Sequence, residues 1–544
     1  MEQEQIKKQT YLHMALILMF ANLSVRTIGA IFKIPIYNLL GSVGYANYQE
    51  AYNLYVIFFT ISTAGLPVAI SRMIAEANTN RKYAEEKKIF KIALLGFVLV
   101  GAFGTGAMML GAGAYSALMK NPDAYYSILV LAPTLFFVCV ISAFRGYFQG
   151  RQNMFPTAVS ELIEALGKLF VGLAAAIYAM TVYGPERLDV AAAFAVSGLT
   201  VGSVVGVGYM FVKKKLVESR EHLLYAKEPD ATVRKNGDIL KEITRISILI
   251  MLTSSVASLA GPIDSFMIKW RLTAIGWSVR EANGAFGEYT GMAVPFANLP
   301  NTLIVAFATS IIPVISTAFS EKNMQSIKST IESTFRVASM VAMPCAFGLV
   351  FMSGPILSLI YPGRMDEVIS TAPLLSILGV GVVFMSMVSI TNSMLQAQKQ
   401  EMKTIISMAC GMAVKIVVGY ILIGIPSVNR YGTPISTCFC YLTIMGMNLY
   451  FLARYTKIVP PVKKTFLKPF VSGAIMAACT VFAYMSLDKI LHGSKIAVIA
   501  ALAVALAVYG ICTVAFKTLT KEDVLLLPKG EKIYEFMKRK KWIG

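Results

Sequence analysis

Apolar stretches long enough to cross a bilayer recur about fourteen times in this chain, and no other feature restricts its fold as much. Inside hydrocarbon every backbone N–H and C=O must find a partner within the protein, so only helices and closed barrels are admissible, and runs of some twenty residues select helices. The spans fall at 11–38, 46–73, 90–113, 124–147, 156–180, 189–212 and 246–268, then at 285–317, 331–353, 369–396, 402–424, 431–453, 468–487 and 496–516. With 56% of its 544 residues hydrophobic and 15% charged, the chain reads as an all-α polytopic membrane protein. The first apolar segment is too long for a cleavable signal peptide, and no small-residue cleavage pattern follows it.

The net charge of +20 invites a polyanionic partner, but its distribution removes the need for one. If the amino terminus is inside, most of the 50 Lys and Arg fall in connections on that same side. This is the bias that orients membrane proteins, so both termini are expected in the cytoplasm and no nucleic acid is implied. The lysine-rich stretches 213–245 and 517–541 are expected to meet anionic lipid headgroups, with a regulatory partner as the other reading. The seven cysteines lie in spans without C-x-x-C spacing, and His13, His222 and His492 are scattered, so neither a metal site nor a cofactor is expected.

Short matches recur in the same order about 240 residues apart, the mark of an internal duplication. Tyr48-Gln49-Glu50 resembles Phe286-Gly287-Glu288, Leu66-Pro67-Val68 resembles Ile312-Pro313-Val314, Ala132-Pro133 matches Ala372-Pro373, and the segment from Gln149 to Lys168 resembles that from Gln396 to Lys415. The expected organisation is a six-helix lobe over 1–213, a basic cytoplasmic linker over 214–243, a second six-helix lobe over 244–455, an appended helix pair over 456–517 and a basic tail over 518–544. A repeat of six spans relates the lobes by a pseudo-two-fold axis.

Ionisable residues inside these spans are the chemical signal. A lone charge near the bilayer centre costs about 2.5–3.5 kcal/mol on an insertion scale, so such groups must pair or face a wet interior. Asn22, Arg26, Gly29 and Lys33 share one stripe of the first helix, and Arg26 sits where snorkelling is hard. Glu161, Glu164 and Lys168 follow one another at helical spacing, and Glu164 with Lys168 has the order of an i,i+4 ion pair. Two readings stay open there: self-neutralisation on one helix, or a site. Lys415 recurs at the matching place with no carboxylate one turn before it, so Arg26, Lys33, Lys168 and Lys415, with Asn22, become candidate substrate contacts. Glu50, Asp264 and Glu288 near span ends, with Glu161 and Glu164, are candidates for gating by pairing with those bases or for binding a coupling cation; headgroup water is the plain alternative. Arg72 and Arg145 read as topology anchors, and Pro67, Pro295, Pro300 and Pro313 as kinks.

The stretches "FRGYFQGRQNMFPTAVSELIE", "VRTIGAIFKIPI", "GLPVAISRMIAE" and "GPIDSFMIKW" resemble the polysaccharide-export branch of the multidrug/oligosaccharidyl-lipid/polysaccharide flippase superfamily. Within it, the likeness is to the group that contains stage V sporulation protein B and the lipid II flippases of Gram-positive bacteria. The resemblance implies fourteen helices in two six-helix lobes, a central cavity for a pyrophosphate-sugar headgroup, and a groove at the last two helices for a polyprenyl tail. It also implies that Arg26 corresponds to a first-helix arginine of lipid II flippases. Gram-negative relatives place further arginines in the second and eighth helices, whereas 46–71 and 285–317 contain no Lys or Arg, which points to Lys168 and Lys415 as substitutes. The expected function is translocation of a polyprenyl-pyrophosphate-linked saccharide across a bacterial plasma membrane, with membrane lipids and a coupling cation as further partners. A cation-coupled multidrug exporter and a membrane glycosyltransferase or ligase are the alternatives; the last would call for a large outer loop bearing catalytic groups.

Overall fold

The computed structural model describes residues 2–80, 82–225, 234–320, 324–458, 463–491 and 495–518, with isolated positions beyond, and side chains from Ala21 onward apart from scattered positions. Its elements are α1 (Glu2–Thr63), α2 (Leu66–Thr79), α3 (Tyr83–Leu118), α4 (Tyr125–Gly150), α5 (Phe155–Leu166), α6 (Gly172–Tyr183), α7 (Leu188–Tyr225), α8 (Asn236–Ser258) and α9 (Ala260–Ala274). They continue with α10 (Val279–Glu288), α11 (Val294–Ser320), α12 (Met324–Phe351), α13 (Ser353–Ile360), α14 (Met365–Ala397), α15 (Glu401–Ile423), α16 (Gly432–Thr456), α17 (Lys468–Leu491) and α18 (Lys495–Ala515). Helices account for every regular element among the described residues, as the apolar periodicity requires.

Among the described residues, twelve helical stretches are long and apolar enough to cross a membrane. The first, Leu23–Thr79, is 57 residues long, about 85 Å at 1.5 Å per residue, enough for two crossings of a 30 Å core. It bends at Gly41, whose φ of 67° and ψ of −175° only glycine adopts without strain, so the first two spans join through a single residue rather than a loop. A second break at residues 64 and 65 lets Pro67 occupy the first turn of α2, where its missing N–H leaves no bond unmade. The helices α8 and α9 supply a further stretch between the sixth and eighth spans.

The chain forms two compact units, residues 1–273 with 277–287, and residues 274–276 with 288–544. In the first, α4 is central and packs on α3, α7, α2 and α1, while α6 packs on α7. In the second, α14 is central and packs on α12, α16 and α11, while α15 packs on α16. These partners correspond in order, and each central helix carries an internal proline, Pro133 or Pro373. The internal packing of one unit thus repeats that of the other, as the matching motifs predict. The second unit's core includes Ile331, Phe335, Met387, Ile390, Met394 and Leu452. The helices α17 and α18 pack on each other and α17 on α12, an addition to the repeat.

Two boundaries differ from the sequence reading. The segment 214–243 was expected as a linker, yet α7 runs on to Tyr225 and α8 begins at Asn236, with 226–233 outside the described residues. The seventh span packs in the first unit, because α8 lies against α1, α2 and α3. Charge helps to hold it there: Arg234, just before α8, bonds Glu85 of α3 and, at 2.7 Å, Glu242 of α8. In the tail, Asp523 is buried and pairs with Arg336 of α12 at 3.1 Å.

Candidate functional site

Lys168 lies on a wide π-helical turn, Gly167–Val171, that joins α5 to α6. Glycine sets its position. Gly167 meets Gly202 and Gly172 meets Gly198 of α7 so closely that a Cβ on Gly198 would stand 2.3 Å from the Gly172 nitrogen. The backbones on both sides of Lys168 are therefore pressed against α7, and the lysine side chain projects toward α1. Its Nζ lies 4.7 Å from the ring centre of Tyr52, 5.2 Å from Phe32 and 5.8 Å from Tyr48, three rings that attract a cation through their faces. Lys33, next to Phe32 in sequence, is close enough to Lys168 for the two ammonium groups to repel. Neither lysine has an ion pair among the described residues. Arg26, two turns before Lys33 on the same helical face, is exposed and also has none.

Of the two readings left open by the spacing, the Glu164–Lys168 ion pair does not form. Glu164 turns instead to Arg145 of α4, with Nη2 to Oε1 at 3.1 Å, and Arg145 Nε donates to Ser160 Oγ at 3.0 Å. The wide turn is the physical reason, since it rotates Lys168 out of the i,i+4 register that a regular helix would have given. Arg145, read as a topology anchor, is thus a structural partner of the fifth span. Glu161 lies in the field of the same arginine, and its Oε2 is buried without a hydrogen-bond partner from the protein.

Glu50, a candidate for pairing with the bases of the site, is committed elsewhere. It is fully buried and accepts three bonds: from Lys269 Nζ at 2.5 Å, from Ser265 Oγ at 2.5 Å and from Tyr115 OH at 2.9 Å. Lys269 is equally buried, and its Nζ lies 4.7 Å from the Phe286 ring centre. The sequence reading missed it by ending the seventh span at residue 268. The signal available was spacing: Ser265 and Lys269 stand one turn apart, on the helical face that a lone acid such as Glu50 would need. Asp264 is buried beside this group, at 8% exposure. In the second unit Glu288 accepts from Ser370 Oγ at 2.6 Å and from Arg430 at 3.2 Å. Glu50, Glu164 and Glu288 therefore each hold a base that the sequence reading had not placed with the substrate.

Lys415 is 5% exposed on α15 and has a partner of its own. The side chain of Asn22 lies outside the described residues. Among the candidate cations, the structure brings together Lys33 and Lys168. No group of His, Cys, Asp or Glu suited to a metal occurs among the described residues.

The comparisons with known proteins cover this site. The model of the polysaccharide biosynthesis protein family matches residues 12–319, and the MatE family model matches residues 290–421. The uncharacterized membrane protein YabM of Bacillus subtilis is 26% identical over 97% of this chain and 97% of its own. Stage V sporulation protein B of the same organism is 25% identical over 61% of this chain and 62% of its own. The solved structure of lipid II flippase MurJ in an inward closed conformation superposes with a TM-score of 0.63 at 16% identity, covering 92% of this chain and 98% of that one. With more than half of its length, the two lysines included, inside the first family model, the chain is a multi-pass membrane protein of the polysaccharide biosynthesis protein family, folded as the transporters of the multidrug/oligosaccharidyl-lipid/polysaccharide superfamily are.

Proposed function

We propose that this protein moves a lipid-linked, pyrophosphate-bearing saccharide precursor of the cell envelope from the inner to the outer leaflet of a bacterial plasma membrane, with both termini in the cytoplasm. The observation that carries the reading is the pair Lys33 and Lys168, two neighbouring basic residues in a membrane-spanning unit without an ion pair among the described residues, Lys168 set among aromatic rings. Two ammonium groups left to repel each other are costly unless an anion joins them. A pyrophosphate diester carries two negative charges, which match the pair, and Arg26 adds a third cation on the approach. The family match and the likeness to a lipid II flippase support the same substrate class.

The chemistry is binding and release, and no bond is made or broken. Lys33 and Lys168 hold the diphosphate, the polyprenyl tail stays in lipid, and exchange between inward-open and outward-open states carries the headgroup across. Glu161 is the carboxylate we assign to a coupling cation, since one of its oxygens is uncommitted. Lys415, buried and engaged, is not among the cations the reading needs.

The test is headgroup translocation in proteoliposomes containing a polyprenyl-pyrophosphate saccharide. Lys33→Ala and Lys168→Ala should each slow it at least tenfold while the purified chains keep the native elution profile and helix content, and Lys168→Arg should retain most of the rate. Native-rate translocation by the alanine variants sinks the assignment. The MatE match over 290–421 favours one rival, a cation-coupled drug exporter, and drug-dependent proton or sodium flux with no lipid translocation would establish it.

A further inference from the structure

A cavity of about 470 Å³, with neither Lys33 nor Lys168 in its lining, lies in the first unit where the bend of α1, the α3–α4 connection, the α6–α7 connection and the start of α10 converge. Its size is inside the range of roughly 300–1,000 Å³ typical of small-molecule sites. Seven of its eleven lining residues are polar or charged, and that is informative about what it takes.

Arg187 and Asp189 neutralise each other through two hydrogen bonds of 3.0 Å. That leaves Arg280, Asp123 and Glu186 on the rim, all exposed and without an ion pair among the described residues. The wall also contains Asn121 and Asn283, only 2% and 4% exposed. Asn283 Nδ2 donates at 2.9 Å to the carbonyls of both Lys120 and Val279, while its Oδ1 and the Asn121 Nδ2 are buried with no hydrogen-bond partner from the protein. One donor and one acceptor thus stand unclaimed just behind the cavity surface, where buried amides are ordinarily satisfied.

One free guanidinium against two free carboxylates disfavours a phosphate or any other anion. Interspersed donors and acceptors suit hydroxyl groups, because each hydroxyl donates and accepts at once. We infer that this cavity is a saccharide subsite, taking uncharged, hydroxyl-rich rings, and that it is separate from the basic pair. With the amino terminus inside, its four connections face outward, so it receives the sugar portion of the substrate as that portion leaves the membrane. This role rests on the flippase reading, but the binding itself does not.

Two of the three tryptophans report on the cavity. Trp270 donates to the Leu118 carbonyl at 2.8 Å and stacks on Lys120, whose carbonyl Asn283 holds, and Trp277 opens the segment leading to Val279. The experiment is intrinsic fluorescence of the purified full chain, in a Trp542→Phe background, titrated with N,N′-diacetylchitobiose and with maltose. At least one of these neutral sugars should give a saturable change with millimolar affinity, weakened at least tenfold by Arg280→Ala and by Asp123→Asn, both rim substitutions at exposed side chains. Lys168→Ala should bind the sugar as the native chain does while failing to translocate lipid, which separates this proposal from the flippase reading. The subsite is overturned if neither sugar saturates, if the rim variants bind as the native chain does, or if pyrophosphate or putrescine gives the saturable signal instead.

Discussion

At the scale of single residues, the charges inside the membrane divide into those that are committed and those that are not. Glu50 and Lys269 are committed. Both are fully buried, and the remaining oxygen positions of Glu50 are filled by Ser265 and Tyr115. Removing one partner of such a pair typically costs about 3–5 kcal/mol, because the other charge is left in a medium that cannot solvate it, whereas replacing both by apolar groups is often tolerated. Lys269→Ala should therefore lower the detergent unfolding temperature clearly, and the double variant Glu50→Leu, Lys269→Met should recover most of the loss. A single variant as stable as the native chain would show that the pair contributes nothing. Lys33 and Lys168 are uncommitted, and they should behave in the opposite way. Their neutral substitutions relieve a repulsion, so Lys168→Met should leave thermal stability unchanged or raised while translocation falls. Sequence alone left two readings open for Glu164 and Lys168, an i,i+4 ion pair or a site, and took Arg145 as an anchor; the i,i+4 rule assumes a regular helix, and the π-helical turn at Gly167–Val171 breaks that assumption.

At the scale of elements, glycine determines where the basic pair stands. The contacts Gly167 to Gly202 and Gly172 to Gly198 bring the α5–α6 turn against α7 with no side chain between. Gly198→Val would put carbon atoms where the backbone of α6 already lies, and the turn that holds Lys168 must then move away from α7. Translocation should fall at least tenfold, and a cysteine cross-link between Ala176 and Ala195 would form more slowly than in the unsubstituted background. Gly41 has a different task, since its positive φ lets α1 bend sharply without a loop. An L-residue forced into that conformation costs about 1 kcal/mol or more, so Gly41→Ala should lower the unfolding temperature by a few degrees. The apolar pattern indicated two spans here and gave their approximate limits. It was silent on the single-residue bend, because hydropathy registers length in hydrocarbon but not the sign of φ. Pro67 illustrates the same limit: read as a kink inside a span, it lies in the first turn of α2 after a break.

At the scale of the whole molecule, the positive-inside bias sets an expectation for orientation that is open to direct measurement. In a chain whose seven cysteines are replaced by alanine or serine, a cysteine at exposed Glu186 should react with an impermeant maleimide added to intact cells, and one at half-exposed Lys82 only after the cells are opened. The reverse pattern would invert the topology and put the saccharide cavity in the cytoplasm. By itself the sequence determined the all-helical membrane class, the approximate spans and the duplication, because twenty-residue apolar runs and repeated motifs are local properties and a bilayer leaves a backbone few choices. The tertiary structure decided which charges neutralise one another, which glycines touch, and that the seventh span packs with the first unit. Those outcomes depend on helices remote in sequence approaching within a few ångströms, and a salt bridge such as Glu50 to Lys269 leaves no local trace by which either residue could be matched to the other.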